Sequence, residues 1–429
     1  MNRIDYPSIH ETAFSGVLPN GLTVRVIPKP GFSRKVAYFV TNYGSMHTRF
    51  RRGGKTFQTP MGVAHYLEHK MFDMPGDRDV TAEFAALGAS PNAFTSYDMT
   101  AYYFSCTDRF EDALRLLLEF VSTPCFTPES VEKEQGIIAQ EILMYEDNPD
   151  SKVFDALTEA MYRVHPIREN IAGTVESIRE ITPELLLACH EAFYDPANMI
   201  LCVVGDVDPE RVFSLAEEIL PGQRREPAEK LVARECDLSC PRALTRREMD
   251  VAMPSFQFGI KCAPCGDGEA GIRRELAADL AAEALFGESS ALYLRLYEEG
   301  LIDSSFGGGF ETLEGCAMLC AGGDSDDPRA VRDAIVSQAR LLVEKGISQE
   351  EFLRLKRSAL GRRIRALDSL DGTCFRVCAY HFSDFDYFRF PELYRDIQKQ
   401  EILDFLDRVV RPERCAISII TPLAEGAIE

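Results

Sequence analysis

Residues 60–72 read PMGVAHYLEHKMF, and His65, Glu68 and His69 fall inside this stretch. Thr59 can cap a helix here, and Pro60 suits its first turn. On a helix, His69 lies four residues after His65 and Glu68 three after it, so the three side chains share one face. Two imidazoles one turn apart form a pair of metal ligands, and an acid beside them can act on water at the metal. The order is that of the inverted zincins, H-x-x-E-H. The same residues also fit a helix whose two histidines are merely solvated or hydrogen-bonded in a core, so the rest of the chain has to decide.

A catalytic zinc site needs a third protein ligand and one position left for water. Thr127 and Pro128 open a long helical pattern to about Met144. It carries Glu134 and Glu141, two helical turns apart and so on one face. Glu141 therefore stands on a separate helix, well downstream of His69. Acidic helix faces are ordinarily just solvated. Here Gly136–Ala139 and Ile142-Leu143 surround the glutamates with apolar residues, and a carboxylate embedded in such a run needs a partner.

Composition narrows the class. At 429 residues the chain is long for one core, so two domains are expected. There is no charged-then-apolar leader and no apolar run long enough to span a bilayer; Met199–Val204, the most apolar segment, is strand length. A soluble cytoplasmic protein is expected, with no membrane partner. The net charge of −21 argues against a nucleic-acid partner. The 13 cysteines form no compact framework and suit reduced thiols. Cys236, Cys240, Cys262 and Cys265 could hold a second zinc, but their loose spacing favours ordinary core and strand-end cysteines.

The remaining chain alternates strands and helices. Residues 14–45 read as strands around the Pro19-Asn20-Gly21 turn, with Val36–Thr41 as one of them. His47–Lys55 reads as a basic surface loop that could also grip an acidic group. A short helix over 77–87 ends at Gly88, and Ser90–Thr95 and Thr100–Ser105 read as strands joined by a short connection. Helices follow at 110–121, 151–163, 183–194 and 209–219, with a strand over 199–205; Leu220–Glu235 reads as a linker. The second half then repeats the first, with offsets of 221 between two helix starts (Phe126 and Ile347) and 216 between two x-Pro turns (Pro196 and Pro412). At the first offset Arg362 stands where Glu141 does and Leu355 where Glu134 does, and His381 is the one histidine of the second half. The repeat therefore predicts a second domain of the same fold without a metal site.

With His65-x-x-Glu68-His69, Asn92-Ala93-x-Thr95 and Glu134–Glu141 in this order, the chain resembles the pitrilysin–insulinase family of zinc peptidases, which includes the mitochondrial processing peptidases. It is most similar to the short bacterial two-domain members that occur in pairs and are associated with peptide maturation. The likeness is specific from about Leu18 to Asp208 and weaker beyond 240. The resemblance implies an α+β fold of two repeated domains, each a mostly antiparallel sheet with helices on one side: residues 1–222 catalytic, 223–241 a linker, and 242–429 without metal. It implies one Zn2+ per chain on His65, His69 and Glu141, with Glu68 as general base and Glu134 as a supporting carboxylate. It also implies that the edge strand Asn92, Ala93, Phe94 and Thr95 receives the substrate backbone.

One stretch departs from the family pattern. Where members carry an Arg and a Tyr that hold the scissile carbonyl, this chain reads Leu296–Ser304, with Tyr297 near the Arg position and Asp303 or Ser304 near the Tyr. Arg295 is close but on the wrong phase of the helix. Gly307-Gly308-Gly309 nearby reads as a turn between strands or a flexible substrate-contacting loop. The expectation is a zinc metalloendopeptidase that hydrolyses extended, unstructured peptides in a closed chamber and matures or trims a precursor. A related subunit lacking the zinc motif would complete it as a heterodimer, with a homodimer as the other arrangement. The rival expectations are a non-catalytic peptide-binding scaffold subunit and a different metal hydrolase with the same ligand set.

Overall fold

The computed structural model describes residues 1–76, 78–220, 222 and 227–423. The chain forms two compact units that interleave along the sequence. One comprises Met1–Ile142, Asn170–Val232 and Arg363–Pro391; the other comprises Leu143–Glu169, Ala233–Arg362 and Glu392–Glu429.

The first unit is built on a seven-stranded sheet. Its strands are β1 (Asn2–Tyr6), β2 (Glu11–Val17), β3 (Thr23–Pro28), β4 (Lys35–Thr41), β5 (Ala89–Thr95), β6 (Thr100–Cys106) and β7 (Met199–Gly205), in the order β1-β2-β3-β7-β4-β6-β5. Every pairing is antiparallel except β7 with β3. β7 runs in the middle and every residue of it is buried, which explains why Met199–Val204 is continuously apolar rather than alternating. Leu201 and Val203 each contribute about 1.5–3 kcal/mol through burial. Pro19-Asn20-Gly21 makes the expected turn: Gly21 takes φ 95°, and Leu18 N–H donates to Leu22 O at 2.8 Å.

Most helices of this unit pack on one sheet face. Phe110–Ser122 lies against β4 and β6, and Pro209–Ile219 against β3. A single helix, Leu370–Phe382 from late in the sequence, packs on β4 and β7. It covers the reverse face, because its Cys374 and Cys378 meet the side chain of Cys202, which points away from Leu201 and Val203.

The second unit carries a five-stranded sheet of β8 (Leu244–Met249), β9 (Ser255–Cys262), β10 (Gly307–Leu313), β11 (Cys316–Asp324) and β12 (Cys415–Pro422), ordered β8-β12-β9-β11-β10. Only β8 and β12 run parallel. This is the order β3-β7-β4-β6-β5 again, so the repeat read from the sequence is a repeat of topology. The offsets also hold. Pro128–Glu146 and Gln349–Arg365 start at an offset of 221, as do Pro149–Met161 and Leu370–Phe382, while Met199–Gly205 and Cys415–Pro422 start at an offset of 216. The equivalent helices Pro149–Met161 and Leu370–Phe382 each belong to the compact unit that the other repeat's sheet forms, which is why the units interleave. Gly259 lets Pro149–Met161 lie close on β9, since a Cβ there would sit 2.4 Å from Met161 Sδ.

Several local expectations need correction. His47–Lys55 is not a loop: Arg49–Arg52 and Lys55–Gln58 form a hairpin extended by Glu229–Lys230, and Arg51 and Arg52 pair with Glu229 and Glu191. The short helix spans Val80–Ala86 and starts at an Asp79 cap; residue 77, the expected start, lies outside the described residues. Gly307–Gly309 is neither turn nor loop but the start of edge strand β10. Part of the linker, residues 221 and 223–226, also lies outside the described residues. No described helix is long and apolar enough to cross a membrane.

The second unit also buries an ion pair. Lys261 Nζ lies 2.9 Å from Glu235 Oε1, and the two side chains are 1% and 3% exposed. Glu235 also accepts from the Arg163, Val164 and His165 amides, tying the stretch before β8 to the end of Pro149–Met161. Burial raises the Glu235 carboxyl pKa, but the Lys261 ammonium and the amides outweigh that and hold it below the usual value. Lys261→Ala should cost about 3–5 kcal/mol of unfolding free energy by urea titration, because it strands a buried carboxylate. The pair's contribution should be complete above the unfolded carboxylate range and disappear as pH falls through the lower folded value.

Candidate metal centre

All the sequence-predicted site residues belong to the first unit. His65, Glu68 and His69 stand on α1 (Val63–Lys70), which starts later than the sequence suggests. Thr59 does not cap it; its hydroxyl donates to Thr48 O instead. The helix starts at Gly62, at φ 87°, where a Cβ would lie 2.3 Å from Ala172 O, so glycine is required for both conformation and space. Val63, Ala64, Tyr66 and Leu67 bury the opposite side of α1 in the core.

Glu134 and Glu141 stand on α2 (Pro128–Glu146). Val131, Ile138 and Ile142 on the same side of α2 are buried and seat it against the core, which brings both glutamates inward. Two contacts fix α1 against α2. The Tyr66 hydroxyl donates to Val131 O, and Lys70 Nζ, 1% exposed, donates to Ser130 O at 3.1 Å while pairing with Asp73. Neither residue stands out in the sequence, since a tyrosine and a lysine on a histidine-bearing helix carry no spacing signal.

His65 Nε2 lies 3.6 Å from Glu141 Oε1, and His69 Nε2 lies 3.5 Å from Glu141 Oε2. These are too long for hydrogen bonds. They match two ligands of one tetrahedral ion, whose donor atoms at about 2.0–2.1 Å from zinc would sit roughly 3.3 Å apart. One ligand atom each from His65, His69 and Glu141 lies within 4.8 Å of the others, and this is the one such metal-holding group among the described residues. The chemistry of the donor set also fits. His69 Nδ1 lies 3.0 Å from Glu134 Oε1, which keeps the proton on Nδ1 and turns the Nε2 lone pair to the centre. Three carboxylates converge on two imidazoles, an excess of negative charge that a divalent cation would neutralise.

Two carboxyl groups here are shifted in opposite directions. Burial raises the pKa of Glu68, opposed by the Thr95 hydroxyl and the two histidines. Glu134 is held below the usual carboxylate value, chiefly by its hydrogen bond to His69. His65 and Glu68 are buried, whereas His69, Glu134 and Glu141 are only partly covered, so the centre is open on one side.

The four candidate substrate-binding residues lie on β5, the sheet's edge. The Thr95 hydroxyl donates to Glu68 Oε2 at 2.6 Å. Ser96 N–H donates to Met99 O across the β5–β6 turn and Thr95 pairs with Thr100, so by antiparallel alternation the backbone groups of Ala93 and Thr95 point to the free edge. Consistently, Ala93 N–H is taken not by β6 but by Asn92 Oδ1, at 2.8 Å. Phe94 turns to the other face, toward Tyr103 and Phe375.

The second repeat has no such cluster among the described residues: Leu355 and Arg362 occupy the positions equivalent to Glu134 and Glu141 on Gln349–Arg365, and Arg362 pairs with Glu283. None of the 13 cysteines is in a disulfide, and those at 236, 240, 262 and 265 join no metal-holding group among the described residues.

Two family models match the chain. Residues 54–175 match the model described as Insulinase (Peptidase family M16), and residues 180–359 match Peptidase M16 inactive domain. The chain is 38% identical over 428 residues to the "Uncharacterized zinc protease YmfH" of Bacillus subtilis (strain 168), covering 98% of this chain and 99% of the relative. The chain belongs to peptidase family M16. Its fold is shared by the putative M16-like peptidase from Alicyclobacillus acidocaldarius, with a TM-score of 0.93, 34% identity, and 96% and 99% of the two chains covered. A protease from Helicobacter pylori has a TM-score of 0.80 at 19% identity, over 96% of this chain and 99% of its own, and shows the fold alone. The M16 relationship supports a zinc metallopeptidase.

Replacing His65 with Ala should abolish stoichiometric zinc binding in competition with a chelating dye. Glu134→Gln should keep the metal but weaken its affinity about 10–100-fold in the same assay, because it loosens the His69 ring and lowers its basicity.

Proposed function

We propose that this chain is the catalytic subunit of a zinc metalloendopeptidase that hydrolyses extended, unstructured peptides. The observation that carries this reading is the convergence of the His65, His69 and Glu141 donor atoms on one point, with the Glu68 carboxylate beside it and a free strand edge next to Glu68. His65, His69 and Glu141 would hold one zinc, and Glu134 would orient His69. When bound, zinc supplies Lewis-acid polarisation of a carbonyl and acidifies water. Glu68 takes the proton from the attacking water and returns it to the leaving amine.

β5 supports the choice of substrate. Backbone groups of Ala93 and Thr95 on an open edge can pair with an extended peptide, with Asn92 yielding the Ala93 amide to it. Phe94 would meet a substrate side chain on the far face. Folded proteins cannot present such a strand, and enclosure in a chamber would exclude them further.

Residues 1–222 are proposed as the catalytic domain, 223–241 as the linker and 242–429 as the metal-free repeat. Tyr297 is 54% exposed and stacked on Tyr293, and among the described residues its hydroxyl has no hydrogen-bond partner. A related subunit without the zinc motif would supply the Arg and Tyr, making a cytoplasmic heterodimer that matures or trims a precursor peptide.

The test is cleavage of an unstructured peptide by the chain, alone and with its paired subunit, with 1,10-phenanthroline as control. Metal-dependent cleavage only with both subunits is the expected result. Full cleavage by this chain alone would remove the split site; no metal-dependent cleavage in either case would favour the non-catalytic peptide-binding scaffold. Glu68→Gln should retain zinc and peptide binding while turnover falls by about 10²–10⁴-fold.

A further inference from the structure

We infer that Thr95 is a positioning residue for the base: its hydroxyl locks one oxygen of Glu68 while its backbone belongs to the edge that takes up the substrate strand. The inference rests on the peptidase reading above and adds a coupling that the motif alone does not contain.

Three observations converge on Thr95. First, the 2.6 Å distance to Glu68 Oε2 falls in the range of a charge-assisted hydroxyl–carboxylate hydrogen bond. Second, the proton inventory leaves one direction for that bond. Thr100 Oγ1, 3.4 Å from Thr95 Oγ1, donates its own hydrogen to Tyr43 O at 2.8 Å, and ionised Glu68 can only accept, so the Thr95 hydrogen goes to Glu68. Third, among the described residues Glu68 Oε1 makes no hydrogen bond, so one carboxylate oxygen is tied down and the other is available to water.

The consequence is geometric. Glu68 stands on α1, and its carboxylate can rotate about its last side-chain bond. The helix fixes where the carboxylate is, but only a partner outside the helix fixes which way its lone pairs point. That partner is a residue of β5, whose backbone groups at Thr95 face the open edge. A peptide strand paired there is held by the same residue that aims the base, so the carbonyl to be attacked and the proton acceptor share one reference point. Misplacement of a reacting group by about 1 Å can cost roughly 10²-fold in rate.

The test compares wild type with Thr95→Val, Thr95→Ser and Glu68→Gln in the assembly that cleaves peptide, measuring kcat, KM and zinc stoichiometry for each. Valine keeps the branched shape and strand preference and removes only the hydroxyl. Expected are a kcat loss of about 10–100-fold for Thr95→Val, with KM within about 2-fold and zinc content unchanged, and recovery to within about 3-fold for Thr95→Ser. Three results would overturn the inference: a kcat for Thr95→Val within about 2-fold of wild type, a loss confined to KM or to zinc content, or a serine variant as impaired as the valine one. If wild type itself shows no metal-dependent cleavage, the peptidase reading fails first and this inference falls with it, whereas an active wild type with a fully active Thr95→Val removes this inference alone.

Discussion

The site depends on the seating of one helix on another. His65 and His69 are one turn apart by the geometry of any helix, but their ring nitrogens meet a third donor only because Glu141, far downstream in the chain, stands opposite them. That placement is fixed by the contact of α1 with α2: the Tyr66 hydroxyl on Val131 O, the buried Lys70 ammonium on Ser130 O, and the apolar side of α2 formed by Val131, Ile138 and Ile142. Lys70 is itself held by Asp73, so its burial leaves no stranded charge. The polar contacts link the two helices, and the buried apolar side of α2 seats it in the core.

The sheet carries this arrangement. A central strand buried on both faces anchors the sheet, and the edge strand β5 lies beside α1, so one residue of it, Thr95, reaches the carboxylate on the helix. The two helices Pro149–Met161 and Leu370–Phe382 occupy equivalent places in the repeat, and each packs on a sheet built from the other half. An exchanged helix makes each compact unit depend on chain from both halves. Cutting the sequence at the linker would therefore leave each sheet with one apolar face uncovered.

The repeat separates fold from chemistry. The same strand order and helix offsets are kept in the second half, yet Leu355 and Arg362 replace the two glutamates, and Arg362 is engaged with Glu283. Burying sheet faces requires only apolar residues at the right period, so the architecture can persist without the ligands. A metal site requires particular donor atoms at particular distances, and losing one of them ends it.

Much of this is legible in the sequence because it is local or periodic. The H-x-x-E-H spacing, the two-turn spacing of Glu134 and Glu141, the continuous apolar run of β7 and the offsets of 221 and 216 are all properties of positions counted along one chain. The start of α1 is not legible in the same way: Thr59 has the chemistry of a cap, whereas the close approach of Ala172 makes Gly62 the residue at which the helix can begin. The Gly307–Gly309 run misleads because glycine signals turns, while here it lies in an edge strand. Residue order alone marks His65, Glu68, His69, Glu134 and Glu141 as candidates for holding a metal and moving a proton, because ligand type and helical spacing are properties of positions along one chain. That Lys70 and Tyr66 link the two helices, that one helix of each repeat packs on the other repeat's sheet, and that Thr95 hydrogen-bonds Glu68 emerge only from the folded chain, because contacts between distant segments depend on distances that no spacing along the chain encodes.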